Sequence, residues 1–210
     1  MARYTGPACK LCRREGEQLF LKGERCMTSK CAIERKPYPP GLQGKRIRRR
    51  ITEYGLRLRE KQKAKRIYGM TERQFKIYFR EAARTKGVTG SLLLSIIETR
   101  LDNVVFRLGF ASSRNQARQL VNLGHINVDG RRVDVSSYRV TPSSVVEVRE
   151  RSRKMPSVNK SLGLSEKKGI PGWLSLDREK YKGIMNKTPE REDVQIPVSE
   201  NLIVEFYSRV

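Results

Sequence analysis

Catalytic equipment is scarce in this sequence. Among 210 residues there is a single histidine, His125, and all four cysteines fall in one N-terminal window. No nucleophile elbow, phosphate-binding glycine loop or H-E-x-x-H motif occurs, so an enzyme is not expected. Scattered carboxylates such as Glu98 and Asp102 read as helix-surface charges. Apolar runs such as LLL at 92–94 and LIV at 202–204 fall far short of the roughly 20 residues needed to span a bilayer. The opening MARYTGPACK has no apolar stretch resembling a secretory signal. The expectation is a cytoplasmic chain in a reducing compartment, with no membrane contact. Acidic residues are the other shortage: 22 Asp and Glu face 45 Lys and Arg, a formal net charge of +23. Such a field repels a second copy and attracts a dense polyanion. Nucleic acid is the leading candidate, because phosphates repeated along a backbone release counterions when many cations bind together. With 37% hydrophobic residues, the chain can bury a modest core in one or two domains.

What the sequence does contain begins with CKLCRREGEQLFLKGERCMTSKC, from Cys9 to Cys31. Cys9 and Cys12 form a C-x-x-C pair, and Cys26 and Cys31 form a second close pair. In a reducing compartment, clustered cysteines hold a metal more often than a disulfide. Two close thiolate pairs can complete a tetrahedron around one zinc ion, with each sulfur about 2.3 Å away. Lys10, Arg13, Arg14, Lys22, Arg25 and Lys30 would stabilise the thiolates. The segment is poor in apolar residues, so metal binding would supply folding energy that its core cannot. Four thiolates would close the coordination sphere, making the ion structural and not hydrolytic. The alternatives are two disulfides, four unpaired thiols, or a redox C-x-x-C for which no β-α-β context follows.

Beyond the cysteines, KPYPPGLQGKR reads as an extended linker or turn. Residues 45–68 then carry eleven Lys and Arg against two Glu. From Thr52 their composition favours helix, and the one-signed excess points to a phosphate-contacting helix, with a solvated face as the alternative. GMTERQFKIYFREAARTKG reads as an amphipathic helix capped by Thr71, with Phe75, Tyr78, Phe79 and Ala82 on its core face. A helical stripe from Leu93 to Leu108 is broken near Arg100 into two helices and stops at Gly109. A serine-capped helix ending at Gly124 follows, then HINVDGRRVDV as a hairpin around Asp129-Gly130 and SSVVEVRE as a further strand. Residues 151–177 read as a basic loop. ENLIVEFY near the end fits either a helix or a buried strand.

Folded RNA hides its base edges in a deep, narrow major groove, so phosphates, 2′-hydroxyls and shape carry its recognition. Arginine suits that task through its planar bidentate fork. The expected RNA contacts lie in three groups. The N-terminal group is Arg3, Arg13, Arg14, Lys45 and Arg46. The basic stretch gives Arg48, Arg49, Arg50, Arg57, Arg59, Lys61, Lys63, Lys65 and Arg66. Further on, Arg114 and Arg118 share a helix face, His125 sits at a helix end, and Arg131 and Arg132 flank the hairpin turn.

The stretch RLDNVVFRLGFASSRNQARQLVNLGHINVDGRRVDVSSYRV, residues 100–140, resembles the RNA-binding module named after bacterial small-subunit ribosomal protein four. ARYTGP, CRREG, KPYPPG and YGLRLREKQKAKRIYG resemble the N-terminal part of that ribosomal protein family. WLSLD and ENLIVEFYSR resemble its C-terminal part, and the four cysteines resemble its zinc-containing branch. The resemblance implies an α+β fold with three parts. These are a zinc-stapled basic arm and linker over 1–44, a helical RNA-binding domain over 45–98 completed by 178–210, and an inserted α-α-β module with a small antiparallel sheet and a basic loop over 99–177. It further implies a structural constituent of the small ribosomal subunit that binds the subunit's large RNA directly, nucleates assembly of its body and contributes to translational accuracy. Neighbours would be small-subunit proteins three, five and twelve, in a place near where messenger RNA enters.

Overall fold

The computed structural model describes residues 4–45 and 51–208, the side chains of residues 166–168 excepted. The chain divides into two compact units, one formed by Met1–Gly90 with Ile196–Val210 and the other by Ser91–Gln195. Of the segment 178–210 expected to complete the helical domain, only the part from Ile196 groups with the first unit.

The first unit is helical. Helix α1 (Ala8–Glu15) ends at Gly16, whose φ of 75° is the left-handed conformation that stops a helix. A 3-10 turn (Gly23–Met27) and the short α2 (Ala32–Arg35) follow. Helices α3 (Glu53–Ile67) and α4 (Glu72–Arg84) start at threonine caps. The Thr52 hydroxyl accepts from the Gly55 N–H, and that of Thr71 accepts from Gln74 N–H. As the sequence pattern requires, α4 buries Phe75, Tyr78 and Ala82 on one face. The C-terminal segment, open between helix and strand in the sequence, forms helix α10 (Glu200–Ser208). Ile203 and Phe206, one turn apart, are its buried residues, and its ring partners lie on both α3 and α4. Tyr207 sits with its ring centroid 4.5 Å from that of Phe79, and Phe206 lies 5.7 Å from Tyr54.

In the second unit, α5 (Thr89–Glu98) and α6 (Leu101–Arg107) are separated by Arg100, whose extended backbone (φ −65°, ψ 139°) confirms the expected break. Ser113 caps α7 (Arg114–Asn122) by accepting from the Gln116 N–H. Strands β1 (Ile126–Val128) and β2 (Arg131–Arg132) form the expected hairpin. Asp129 and Gly130 both have positive φ, the geometry that matches a two-residue turn to strand twist. Strand β3 (Val145–Val148) pairs with β1.

Residues 151–177 are not a loop. They contain α8, which starts at Glu150 (Glu150–Arg153), α9 (Pro156–Lys168) and β4 (Leu174–Asp177). Pro156 opens α9 with its preset φ, and Val158 and Leu162, one turn apart, supply its buried apolar side chains. A last strand, β5 (Lys182–Met185), completes an antiparallel sheet in the order β2-β1-β3-β5-β4. The core beneath it joins Val104, Leu108, Leu120, Ile126, Val146 and Trp173. Strands and helices in one unit give the expected α+β class.

Candidate nucleic-acid interface

The basic helix α3 is not a bare solvated rod: carboxylates of its own unit line it. Each of its six cations has a carboxylate partner within the first unit. Arg57 reaches Glu205 at 2.6 Å and Glu53 at 3.2 Å. Arg59 pairs with Glu15 at 3.4 Å, and Arg66 with the same carboxylate. Lys61 and Lys65 converge on Glu72 at 2.8 and 2.9 Å, while Lys63 lies 2.6 Å from Glu60 and 3.1 Å from Glu17. Lys61 and Lys63 are only 5% and 7% exposed, which corrects their reading as RNA contacts. The Lys61 ammonium also sits 4.6 Å from the Phe206 ring centroid, a cation–π contact. Burial opposes ionisation of Glu72, but hydrogen bonds from Lys61, Lys65 and Tyr207 outweigh it and hold its pKa at about 2. Glu15 behaves oppositely: burial pushes its pKa up despite Arg66 and Arg59.

A second network occupies the module. Asp102, read from sequence as a surface charge, is 3% exposed. Arg100 grips it through Nε at 3.0 Å and Nη2 at 2.8 Å, and Arg118 reaches its Oδ2 from Nε at 2.9 Å and Nη2 at 2.6 Å. Arg118 is itself 5% exposed, so its guanidinium holds α7 to α6 instead of facing RNA. Glu98, fully buried, takes Arg107 at 2.7 Å through Oε1 and 3.0 Å through Oε2. Arg114 donates to Asn103 at 2.7 Å and lies over the Phe106 ring. The surface-charge reading of Glu98 and Asp102 is thus overturned, because arginines from α6, α7 and the break at Arg100 converge on them in the folded unit.

His125 is half-buried at the end of α7. Its Nδ1 lies 2.8 Å from the Ser152 hydroxyl, and its N–H donates to the Leu120 carbonyl. This is the helix-end role. Arg13 also turns inward, donating to the Tyr38 and Pro39 carbonyls at 3.0 and 3.3 Å and lying over the Tyr38 ring. Arg3, Arg46, Arg48, Arg49 and Arg50 lie outside the described residues.

Exposed cations remain. Arg14 and Lys45 are exposed in the first unit, as are Arg131 and Arg132 at the hairpin. Arg132 lies across Gly124, where a Cβ would overlap its guanidinium. Arg149 donates to the Gly124 carbonyl at 3.1 Å, so two arginines flank this turn. The sequence reading missed a further set: Arg73, Lys76, Arg80 and Arg84 on α4 are all exposed. Their three- and four-residue spacing, opposite Phe75 and Ala82, was the available signal.

The four cysteines are free thiols, three of them buried and Cys9 half-buried. Their charges act on one another: burial chiefly raises the Cys12 and Cys26 pKa values, and the neighbouring cysteines add to it. The Lys22 N–H lies 3.4 Å from Cys26 Sγ, and the Leu19 N–H bonds to Cys12. The N–H bonds favour the thiolate form that binds zinc, while burial opposes it. Among the described residues, however, no three His, Cys, Asp or Glu side chains are arranged to hold a metal ion.

Comparison with known families decides what this arrangement belongs to. Residues 3–98 match the model of the ribosomal protein S4/S9 N-terminal domain, and residues 99–146 match that of the S4 domain. Over 209 residues, covering all of both chains, the sequence is 58% identical to small ribosomal subunit protein uS4 of Natranaerobius thermophilus. It is 56% identical to that of Thermus thermophilus and 54% identical to that of Geobacter sulfurreducens over the same extent. The chain belongs to the uS4 family. That family is structural and non-enzymatic. Among the described residues, no helix is long and apolar enough to cross a membrane.

Proposed function

We propose that the chain is a structural constituent of the small ribosomal subunit, ribosome-bound in the cytoplasm, that binds the subunit's RNA directly. Full-length identity of 54–58% to uS4 proteins carries this reading, and the one-signed exposed cations supply its physical mechanism. Interior carboxylates neutralise interior cations, so the surplus charge of +23 lies with the remaining side chains. Among the described residues, Arg14, Lys45, Arg131 and Arg132 are the exposed members of the expected contact set, which on sequence also includes Arg3, Arg46 and Arg48–Arg50.

Family membership further supports early, direct binding that nucleates the subunit body and contributes to decoding accuracy. It also supports a place beside small-subunit proteins three, five and twelve, near where messenger RNA enters. Cys9, Cys12, Cys26 and Cys31 would hold one structural zinc, supported by their two close pairs in the sequence and the N–H bonds to Cys12 and Cys26. Elemental analysis of protein purified without chelator should find about one zinc per chain; two disulfides and no zinc would reverse that assignment. Sucrose-gradient fractionation of a lysate should place the chain almost entirely in small subunits and intact ribosomes, even in high salt. A mainly free pool would instead mark an accessory RNA-binding factor.

A further inference from the structure

Helix α4 carries an exposed basic face of its own. It places Arg73, Lys76, Ile77, Arg80 and Arg84 at i, i+3, i+4, i+7 and i+11, one stripe on the side opposite buried Phe75, Tyr78 and Ala82. All five are exposed. Among the described residues, no carboxylate pairs with the four cations, although every cation of α3 has one. The difference is where the acids went. Glu72, the acid of α4's first turn, points to Lys61 and Lys65 and leaves the outer face positive.

We propose that this stripe binds consecutive phosphates of folded RNA. The inference rests on the RNA-binding reading above and assigns it an element that the sequence reading left out. At 1.5 Å per residue, the four cations span roughly 16 Å along one rigid rod, with three guanidinium forks suited to phosphate oxygens. A repeating polyanion fits such a row. A protein partner fits it poorly, because interface centres are apolar, and Ile77 is the one large apolar side chain exposed on this helix.

The test is binding of the full chain to a transcript of the small-subunit RNA across a salt series. Arg73→Gln/Lys76→Gln/Arg80→Gln/Arg84→Gln should make the slope of log K against log salt shallower by about three, at roughly 0.7–0.9 per phosphate contact. The control, Lys180→Gln/Lys187→Gln, removes cations held 3.6 and 3.2 Å from Asp177 and Asp193 and should leave the slope nearly unchanged. Circular dichroism reports folding. If the fourfold variant unfolds, the pairs Arg73→Gln/Lys76→Gln and Arg80→Gln/Arg84→Gln should each take about half of the slope. A fourfold variant with the control's slope overturns the stripe while the RNA reading stands. Absence of binding by the unaltered chain overturns both. An unchanged slope with loss of a neighbouring protein from reconstituted subunits assigns the face to a protein instead.

Discussion

Asp102 shows how much a single carboxylate can carry. Two arginines, Arg100 and Arg118, are buried against it, and three Asp102 contacts are 2.9 Å or shorter. Removing one partner of a buried ion cluster strands the others in low dielectric. Asp102→Asn preserves shape but not charge, and should cost about 3–5 kcal/mol in urea unfolding. A loss below about 1 kcal/mol, the range of exposed pairs, would sink the view that the cluster organises the module. Glu72 gives a pH signature. Its folded pKa of about 2 lies below its ordinary 4.5, so its contribution is complete above 4.5 and fades as pH falls towards 2. Glu72→Gln should lose about 1–2 kcal/mol at neutral pH, discounted for partial exposure, and should flatten the stability profile across that window. A parallel profile, merely displaced, would mean that other carboxylates carry the acid sensitivity.

At the scale of elements, the sheet is built on one close approach. Gly183 in β5 faces Leu108 at the end of α6, and a Cβ there would overlap the leucine side chain. Both residues are buried. Gly183→Ala should destabilise the second unit by about 1–3 kcal/mol through overpacking, seen as a lower midpoint in thermal unfolding. In a double-mutant cycle, Gly183→Ala should cost less in a Leu108→Ala background than in the unaltered chain if the overlap is the cause. Elements announced by caps and periodicity were legible in the sequence: Thr71, Ser113, the break at Arg100 and the Asp129-Gly130 turn all mark what the chain builds. Helix α9 and strands β4 and β5 were not. Their apolar residues are few, and short strands such as Lys182–Met185 gain their identity from the neighbours they pair with. The candidate surface divided along the same line. Sequence counts cations, but only three-dimensional pairing reveals which ones an acid from elsewhere has neutralised. Glu205 and Glu15 come from distant parts of the chain to α3, so its charge looked available in one dimension and is consumed in three.

On the scale of the whole molecule, the first unit is discontinuous. Its helices α3 and α4 precede the second unit in sequence, whereas α10, which supplies Phe206 and Tyr207 to their aromatic cluster and Glu205 to Arg57, follows it. Synthesis therefore makes these parts in an order that differs from their assembly. While residues 91–195 emerge, the earlier helices wait with Phe75 and Phe79 lacking their Tyr207 partner, and the inserted unit already holds its own complete core. The second unit should close first, and the first only after α10 appears, which inverts the usual N-terminal-first order of domain folding. Ribosome-bound chains arrested once residue 195 has cleared the exit tunnel should yield a protease-resistant fragment from the second unit and a readily digested N-terminal segment. Equal resistance of both would show that α10 is dispensable for closure. A chain built this way cannot finish its first unit until its last helix has been made, so an incomplete translation product would carry a folded module on an unclosed helical scaffold.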